Sequence, residues 1–465
     1  MGKTRQLDSL FNPSSVAIIG ASKRGIDELT GGGLLLKGLI KNGFKGKLYP
    51  VNPKESEVMG LKSYPTVLDI RGDIDLAVIA VPATVVPQVI ADCGQKGIKF
   101  AVVHSVGFSE LSGQGRELES EVVKIARRYG TRIVGPNCMG VYCPQSNFNT
   151  ISPQAKLSTE VGPVALLAQS GWVSENFIES GYERGLRFSK VVSLGNQSDL
   201  TFEEFFKYLA DDSQTKVVAC YIEGIKGGRE FLQLANQISR KKPMIVLKAG
   251  RSRLGVRTIT SHTGALAGNS AVFEAALRQN GVVNAHNLDE FIDLTMGFTC
   301  PVLPSGNKLG VLVEAGGVAV ASADISEALG LEMPTFSTET QEELANVLHG
   351  IVPPFSNRQN PVDIVWVPKE FSARTFLQCS RIMLKEVDSI LILNYTALDE
   401  YFASELVALR DELKKPIMLI PGYVGFQRAG MSLLARKGIP TFTIPERALQ
   451  TLSAMFRYST YLRQS

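Results

Sequence analysis

The chain has 465 residues, 44% hydrophobic and 20% charged, with a net charge of +4. That length suits about three domains of ordinary size, and so small an excess charge gives no reason for a nucleic-acid partner while suiting small anions. No apolar run reaches the roughly 18–20 residues of a membrane span, no apolar signal core precedes the first strand, and six scattered cysteines without a CxxC pair or zinc spacing point to a reducing cytoplasm and away from a metal site.

Short β-type runs alternate with helix-length amphipathic stretches, which predicts an α/β protein with parallel sheets. The first strand, 15–19, runs into Gly20-Ala21-Ser22-Lys23-Arg24-Gly25. Backbone N–H groups at such a turn, with the helix N-terminus behind it, favour a phosphate. Ser22 stands where a GxGxxG motif has its second glycine, so the turn indicates a nucleotide without naming it. Strands follow at 46–51, 76–81, 100–104 and 132–134, with helices at 85–94 and 115–129, a Rossmann-like layout. The second strand ends in Asn52-Pro53-Lys54, where an NAD site carries an acidic residue for the ribose. Lys54 suits a phosphorylated ribose, as in CoA or NADP. Glu55 keeps NAD open, and a solvated turn lysine is the plain alternative. Val81-Pro82 ends the next strand at the same edge, as a ligand wall or a strand stop. The polar, aperiodic segment 144–162 reads as linker and crossover.

The remainder holds an imperfect repeat. Lys241-Lys242-Pro243-Met244-Ile245-Val246-Leu247 returns as Lys414-Lys415-Pro416-Ile417-Met418-Leu419-Ile420. Each copy opens on an apolar strand running into glycine, 164–171 and 309–317, and closes on an amphipathic helix, 288–298 and 445–456. Two flavodoxin-like domains are expected, with a boundary near 301–308. The first copy is longer by about fifteen residues after Gly250. The extra material, Arg251 to Gly268, is rich in Gly, Ser, Thr and Arg and is predicted to be a loop. Its position at the carboxyl end of a strand is where α/β sheets bind ligands.

That insertion carries His262. His104, His286 and His349 fit surface or packed imidazoles. His262 lies among Thr260, Ser261, Thr263 and Gly264, with no apolar pattern to bury it, and Arg251, Arg253 and Arg257 precede it. A neutral imidazole there suits attack on phosphorus. From the residues alone an ordinary loop histidine stays open.

Ser261-His262-Thr263-Gly264-Ala265-Leu266-Ala267-Gly268 resembles the phosphohistidine loop of the nucleoside-diphosphate-forming acyl-CoA synthetases, relatives of the succinyl-CoA synthetase α subunit. The likeness extends over almost the whole chain through 16–22, 49–54, Gly135-Pro136-Asn137-Cys138-Met139-Gly140, 162–171, Ser193-Leu194-Gly195-Asn196, 248–252 and Asn360-Pro361-Val362-Asp363. It implies a Rossmann-like CoA-binding domain over 1–145, a flavodoxin-like domain with the phosphohistidine loop over 146–302, and a second flavodoxin-like domain over 303–465. It implies interconversion of a carboxylic acid, CoA and a nucleoside triphosphate with acyl-CoA, nucleoside diphosphate and phosphate, through an acyl phosphate. His262 is then the relay nucleophile. Glu223 bonds its other ring nitrogen, the plain alternative being a solvent-facing strand-end carboxylate. Ser170 and Gly171 at a helix N-terminus, with Thr263 and Gly264, cradle the phosphoryl group. Gly20, Ala21, Ser22, Lys23, Asn52, Pro53, Lys54, Val81, Pro82, Asn137 and Cys138 fall where the family holds CoA, Cys138 as a wall and not a nucleophile.

Two positions depart from the family pattern: Gly316-Gly317-Val318-Ala319 replaces Gly-Gly-Pro-Gly, and Trp172 stands where a small residue is common. The family also needs an ATP-grasp module, which binds Mg2+ with ATP or ADP. The third domain runs to Ser465 without room for one, so a separate β subunit is expected, in an α2β2 assembly. Competing readings are a non-catalytic or regulatory CoA-binding protein, which would need neither His262 nor Glu223, and an NAD(P)-dependent oxidoreductase, which explains only the first domain. The acid, the choice of ADP or GDP and the direction of reaction are not legible.

Overall fold

Val16, Ala17, Ile18 and Ile19 are β-favouring or small apolar residues, and with Ser15 they form a strand buried along its whole length. A computed structural model describes residues 7–23, 31–111, 113–155, 157–263, 270–395, 398–422 and 424–464, without the side chains of 259–263 and 424–427. Its contacts divide the chain into two compact units, one of residues 1–178 and 188–284, the other of 179–187 and 285–465.

The first unit begins with β1 (Ser15–Ile19), β2 (Lys47–Val51), a short hairpin of β3 (Glu57–Val58) and β4 (Leu61–Lys62), then β5 (Leu76–Ile79), β6 (Phe100–Val103) and β7 (Arg132–Val134). The five longer parallel strands stand in the order β2-β1-β5-β6-β7. Alternate residues serve opposite faces, as a pleated strand requires. Val16, Ile18, Leu76, Val78 and Val102 enter one core. Ala17, Ile19, Ala77, Ile79 and Val103 enter the other, against Val86, Ile90 and Val122 of the flanking helices.

The unit continues with β8 (Gly140–Cys143), β9 (Phe148–Asn149), β10 (Val164–Ala168), β11 (Phe188–Ser193), β12 (Val217–Ile222), β13 (Met244–Lys248) and β14 (Val283–Ala285). They form one sheet in the order β14-β13-β12-β10-β11-β8-β9. Ala165, Leu167, Val192, Val218 and Val246 of this sheet share a core with the first sheet. The predicted linker is corrected here. Residues 140–149 add two antiparallel strands to the edge at β11, and Phe148, Thr150 and Ile151 are fully buried. A polar stretch can be buried when its polar atoms pair internally. Asn149 Oδ1 accepts from the N–H groups of Ile151 and Ser152, and Thr150 Oγ1 accepts from the N–H of Val141.

The second unit holds β15 (Leu309–Val313), β16 (Val362–Asp363), β17 (Ser389–Asn394) and β18 (Ile417–Pro421), parallel in the order β16-β15-β17-β18. A parallel bridge from Leu419 to Thr441 takes a fifth place. Counted from β10 and from β15, both later sheets read second, first, third, fourth, so the sequence repeat is also a repeat of topology. The two closing helices, Leu288–Gly297 and Pro445–Gln464, pack so closely that a Cβ on Gly297 would lie 2.1 Å from Thr451 Cγ2. No described helix is long and apolar enough to cross a membrane.

Candidate functional site

In an open α/β sheet the chain leaves β1 in one direction and returns on its other side, which opens a crevice at the carboxyl ends of the strands. In the first sheet that crevice lies beside Gly20. Gly20 has φ +91°, and a Cβ there would lie 2.3 Å from the Ala80 carbonyl oxygen, so only glycine fits. A Cβ on Gly32 would meet Gly20 and Ala21 at 2.6–2.7 Å. Gly32 opens the helix Gly32–Lys41 and lets it close onto the turn. The sequence analysis missed it because it stands outside the GxGxxG spacing.

The remaining predicted residues of this edge join the same crevice. Asn52 Nδ2 donates to the Ala21 carbonyl at 2.8 Å, while its Oδ1 accepts from the Lys54 N–H at 2.9 Å. Glu55, which had kept NAD open, accepts from the Lys23 N–H through both carboxylate oxygens at 3.0 and 3.2 Å. Its carboxylate is therefore spent on shaping the turn. Lys23, Pro53, Lys54 and Pro82 are exposed, and Ser22 and Val81 are partly so. Ser105 Oγ donates to the Val81 carbonyl at 2.5 Å, and the Asn137 N–H donates to the Ser105 carbonyl at 3.0 Å. Gly20, Asn52, Val81 and Asn137 thus follow one another along a single edge. Cys138 differs. It is 5% exposed, its thiol points at the Val103 and Val134 carbonyls, and burial pushes its pKa up to about 12. A thiol so held is no nucleophile at neutral pH, and the side chain belongs to the core.

The second crevice lies between β11 and β12, at the end of β10. Ser170 caps the helix Gly171–Glu183, its Oγ accepting from the Val173 N–H at 3.3 Å. A Cβ on Gly171 would lie 2.6 Å from Met139 Cγ, so glycine permits a close approach here. Glu223 follows the neighbouring β12. Its N–H and that of Gly224 both donate to Gln169 Oε1, which ties the residue before the helix to the glutamate loop. Lys248, at the end of β13, donates through Nζ to the carbonyls of Glu223 and Ala249. Trp172, in the helix's first turn, is 62% exposed. Neither Gln169 nor Lys248 carried a role in the sequence, because both stand in strand ends that read as ordinary.

The insertion predicted as a loop is helical over Arg253–Thr263. The correction has a local cause: Ser252 caps this helix, its Oγ accepting from the Gly255 N–H at 3.0 Å and its carbonyl from the Val256 N–H at 2.9 Å. The neck of the insertion is pinned. Arg251 Nε donates to Glu274 at 2.7 Å, and Ser270 Oγ to the Arg251 carbonyl at 3.2 Å. The helix runs beside the turn Ser109–Leu111, which belongs to the loops of the first sheet's edge. His262 and Thr263 lie in its last turn; their side chains, and Gly264 altogether, fall outside the described residues.

The two edges are joined within the first unit. Asn196, after β11, donates through Nδ2 to Glu110 at 2.7 Å and Glu119 at 2.8 Å, and its Oδ1 accepts from Asn137 at 3.3 Å. Burial opposes ionisation of Glu110, but the Asn196 amide and the N–H groups of Gly107 and Phe108 hold its pKa below the usual range. Gly195 is required, since a Cβ there would lie 2.2 Å from the Pro136 carbonyl oxygen. A cavity of about 740 Å3 opens at the opposite, amino-terminal ends of β6 and β7, lined by Phe100, Arg132, Phe206 and Tyr208 among others, and none of the residues above lines it.

Comparison with known proteins matches both edges to families. Residues 14–144 match a CoA binding domain and residues 161–298 a succinyl-CoA ligase like flavodoxin domain. The chain is 37% identical over 454 residues to the α subunit of acetate–CoA ligase [ADP-forming] II of Pyrococcus furiosus, covering 95% of each. It is 37% identical to the acetate–CoA ligase [ADP-forming] of Methanocaldococcus jannaschii over 98% of its own length, and spans 64% of that longer protein. Among solved structures, a dinucleotide forming acetyl-coenzyme A synthetase 1 of Ca. Korarchaeum cryptofilum, in complex with phosphate and ADP, superposes with a TM-score of 0.83 at 34% identity, over 98% of both chains.

Proposed function

The chain belongs to the ADP-forming acyl-CoA ligases, among their α subunits, and from that premise we propose that it converts a carboxylic acid, CoA and ATP reversibly into acyl-CoA, ADP and phosphate through a phosphohistidine at His262. The observation that carries the reading is the second crevice, where the capped N-terminus at Ser170-Gly171 and the Glu223 loop are bound to one another through Gln169. A helix N-terminus offers free N–H groups and a positive dipole end to a phosphoryl group. The insertion that bears His262 leaves β13, the strand beside β12.

In the synthetic direction the phosphoryl group moves from ATP to a ring nitrogen of His262, releasing ADP. The other ring N–H donates to the Glu223 carboxylate, which fixes the tautomer and supports the cationic phosphoimidazole. The acid's carboxylate oxygen then attacks phosphorus and the P–N bond breaks, giving acyl phosphate and free histidine. The CoA thiol, losing its proton, attacks the acyl carbon, and phosphate leaves. CoA is assigned to Gly20–Lys23, Asn52–Lys54, Val81-Pro82 and Asn137, with Cys138 behind them. The exposed Lys23 and Lys54 suit its phosphates. Thr263 and Gly264 are assigned to the phosphoryl group. The three domains of the reading are 1–145, 146–302 and 303–465.

The partner is an ATP-grasp β subunit that holds Mg2+ and the adenine nucleotide, in an α2β2 complex; the names of the Pyrococcus furiosus relatives as α subunits support a separate partner. The free, buried cysteines support a cytoplasmic setting. The test is labelling with 32P-acetyl phosphate, or with γ-32P-ATP in the presence of a β subunit. Acid-labile, base-stable label on the wild type and none on His262→Ala is expected. Equal label on the two, or acyl-CoA formed from acid, CoA and ATP by the chain alone, overturns the reading.

A further inference from the structure

Glu223 is gripped from both sides by its strand neighbours. On the β10 side, Gln169 Oε1 accepts the N–H of Glu223 and that of Gly224, the latter at 3.0 Å. On the β13 side, Lys248 Nζ donates to the Glu223 carbonyl at 2.9 Å and to the Ala249 carbonyl. The register explains the symmetry: Ala168 pairs with Tyr221 and Lys248 with Ile222, so Gln169 and Lys248 flank the residue that follows β12. Both peptide groups of Glu223 are thereby fixed, and only its side-chain torsions remain to aim the carboxylate.

Lys248 is an unusual choice for a backbone tie. It is 7% exposed at the end of a strand whose five residues are all buried. Burial pushes the ammonium's pKa down, with Glu223 acting against the shift. A buried charge is costly unless it is paired or hydrogen-bonded. The ammonium has three donors, and two carbonyls are its described acceptors. Ala249 lies next to the stretch that enters the histidine insertion, so one side chain fastens the glutamate loop and the root of that insertion together.

We propose that Gln169 and Lys248 are positioning residues that set the Glu223 carboxylate against the ring N–H of His262, with Lys248 coupling the glutamate loop to the base of the histidine helix. The inference rests on the relay reading above. A displacement of about 1 Å of such a group costs on the order of 100-fold in rate. Removal of the tie therefore slows phosphoryl transfer while leaving the CoA edge, which is on the other sheet, unchanged.

The experiment uses the full chain with 32P-acetyl phosphate, and with its β subunit for the complete reaction. Lys248→Met is expected to lower the rate of His262 labelling about 100-fold, in kcat far more than in KM for acetyl phosphate, with the CoA dissociation constant unaltered. Lys248→Arg, which keeps charge and donors, is expected to recover most of the rate. Gln169→Leu tests the other side of the grip without touching a charge and serves if Lys248→Met does not fold; the same selective loss is expected. Wild-type labelling rates in Lys248→Met or in Gln169→Leu, or a loss that Lys248→Arg does not relieve, overturn the proposal. Absence of label on wild-type His262 overturns the relay reading itself, and this inference with it.

Discussion

Burial decides what two of the titratable side chains near the first crevice can do. His104 directly follows β6 and Cys138 lies in the connection from β7 to β8, near the strand ends where catalytic groups commonly reside, and both are withdrawn from chemistry. The Cys138 thiol is held protonated in the core. His104 has its Nε2 buried without a partner among the described residues, and burial lowers its pKa from 6.5 to about 4. This predicts a pH dependence. Between pH 6.5 and 4 the unfolded chain binds a proton at this histidine and the folded chain does not. The contribution is complete above 6.5 and is lost as pH falls towards 4, roughly 3 kcal/mol in all. Urea unfolding of wild type and His104→Gln at pH 7 and pH 4.5 reads it, the variant losing less stability on acidification. The sequence left His104 open as a surface or packed imidazole; in the structure the residue is half-buried, and Gly140, which arrives from a different sheet, comes so close that a Cβ there would lie 3.1 Å from its Nε2.

At the scale of elements, the histidine insertion shows where composition misleads. Gly, Ser, Thr and Arg argue for a loop, yet one serine in the right place nucleates a helix. Loss of the Ser252 cap in Ser252→Ala is expected to cost about 1 kcal/mol. Amide hydrogen exchange across 253–258 should then quicken about five-fold, with strand amides of β10 and β12 unaffected. The predicted linker 144–162 misled in the same way over 144–152: its polar residues pair partly with one another, as Asn149 with Ser152, and partly with distant segments, as Ser146 with Phe11 and Asn147 with Gly43. Strand positions were far more legible. β1 and β7 were predicted at their observed bounds and β2, β5 and β6 within one or two residues, because continuous Val, Ile, Leu and Ala runs flanked by Gly and Pro leave little else for the backbone to do.

For the whole molecule, the second unit hangs on a shared acid. Asp293, 4% exposed in its side chain, receives Arg447 Nε at 2.5 Å and Arg184, while Arg447 also reaches Asp289 at 3.1 Å. One carboxylate therefore ties the closing helices of both repeats to the segment at Arg184. Asp293→Ala leaves two guanidinium groups without their common partner and is expected to destabilise this unit by about 3 kcal/mol, read as a lower denaturant midpoint for fluorescence or exchange probes in 285–464. The sequence by itself determined the α/β class, the repeat, and the family to which His262, Glu223 and the Gly20 turn belong, since these rest on local periodicity and on residues in a fixed order along the chain. Only the tertiary structure decided which strand ends lie side by side. Parallel strands that neighbour one another are separated by tens of residues in sequence, so the grip of Gln169 and Lys248 on Glu223, the bridge of Asn196 between the two edges and the sharing of Asp293 come from sheet order and helix packing, which no local pattern encodes.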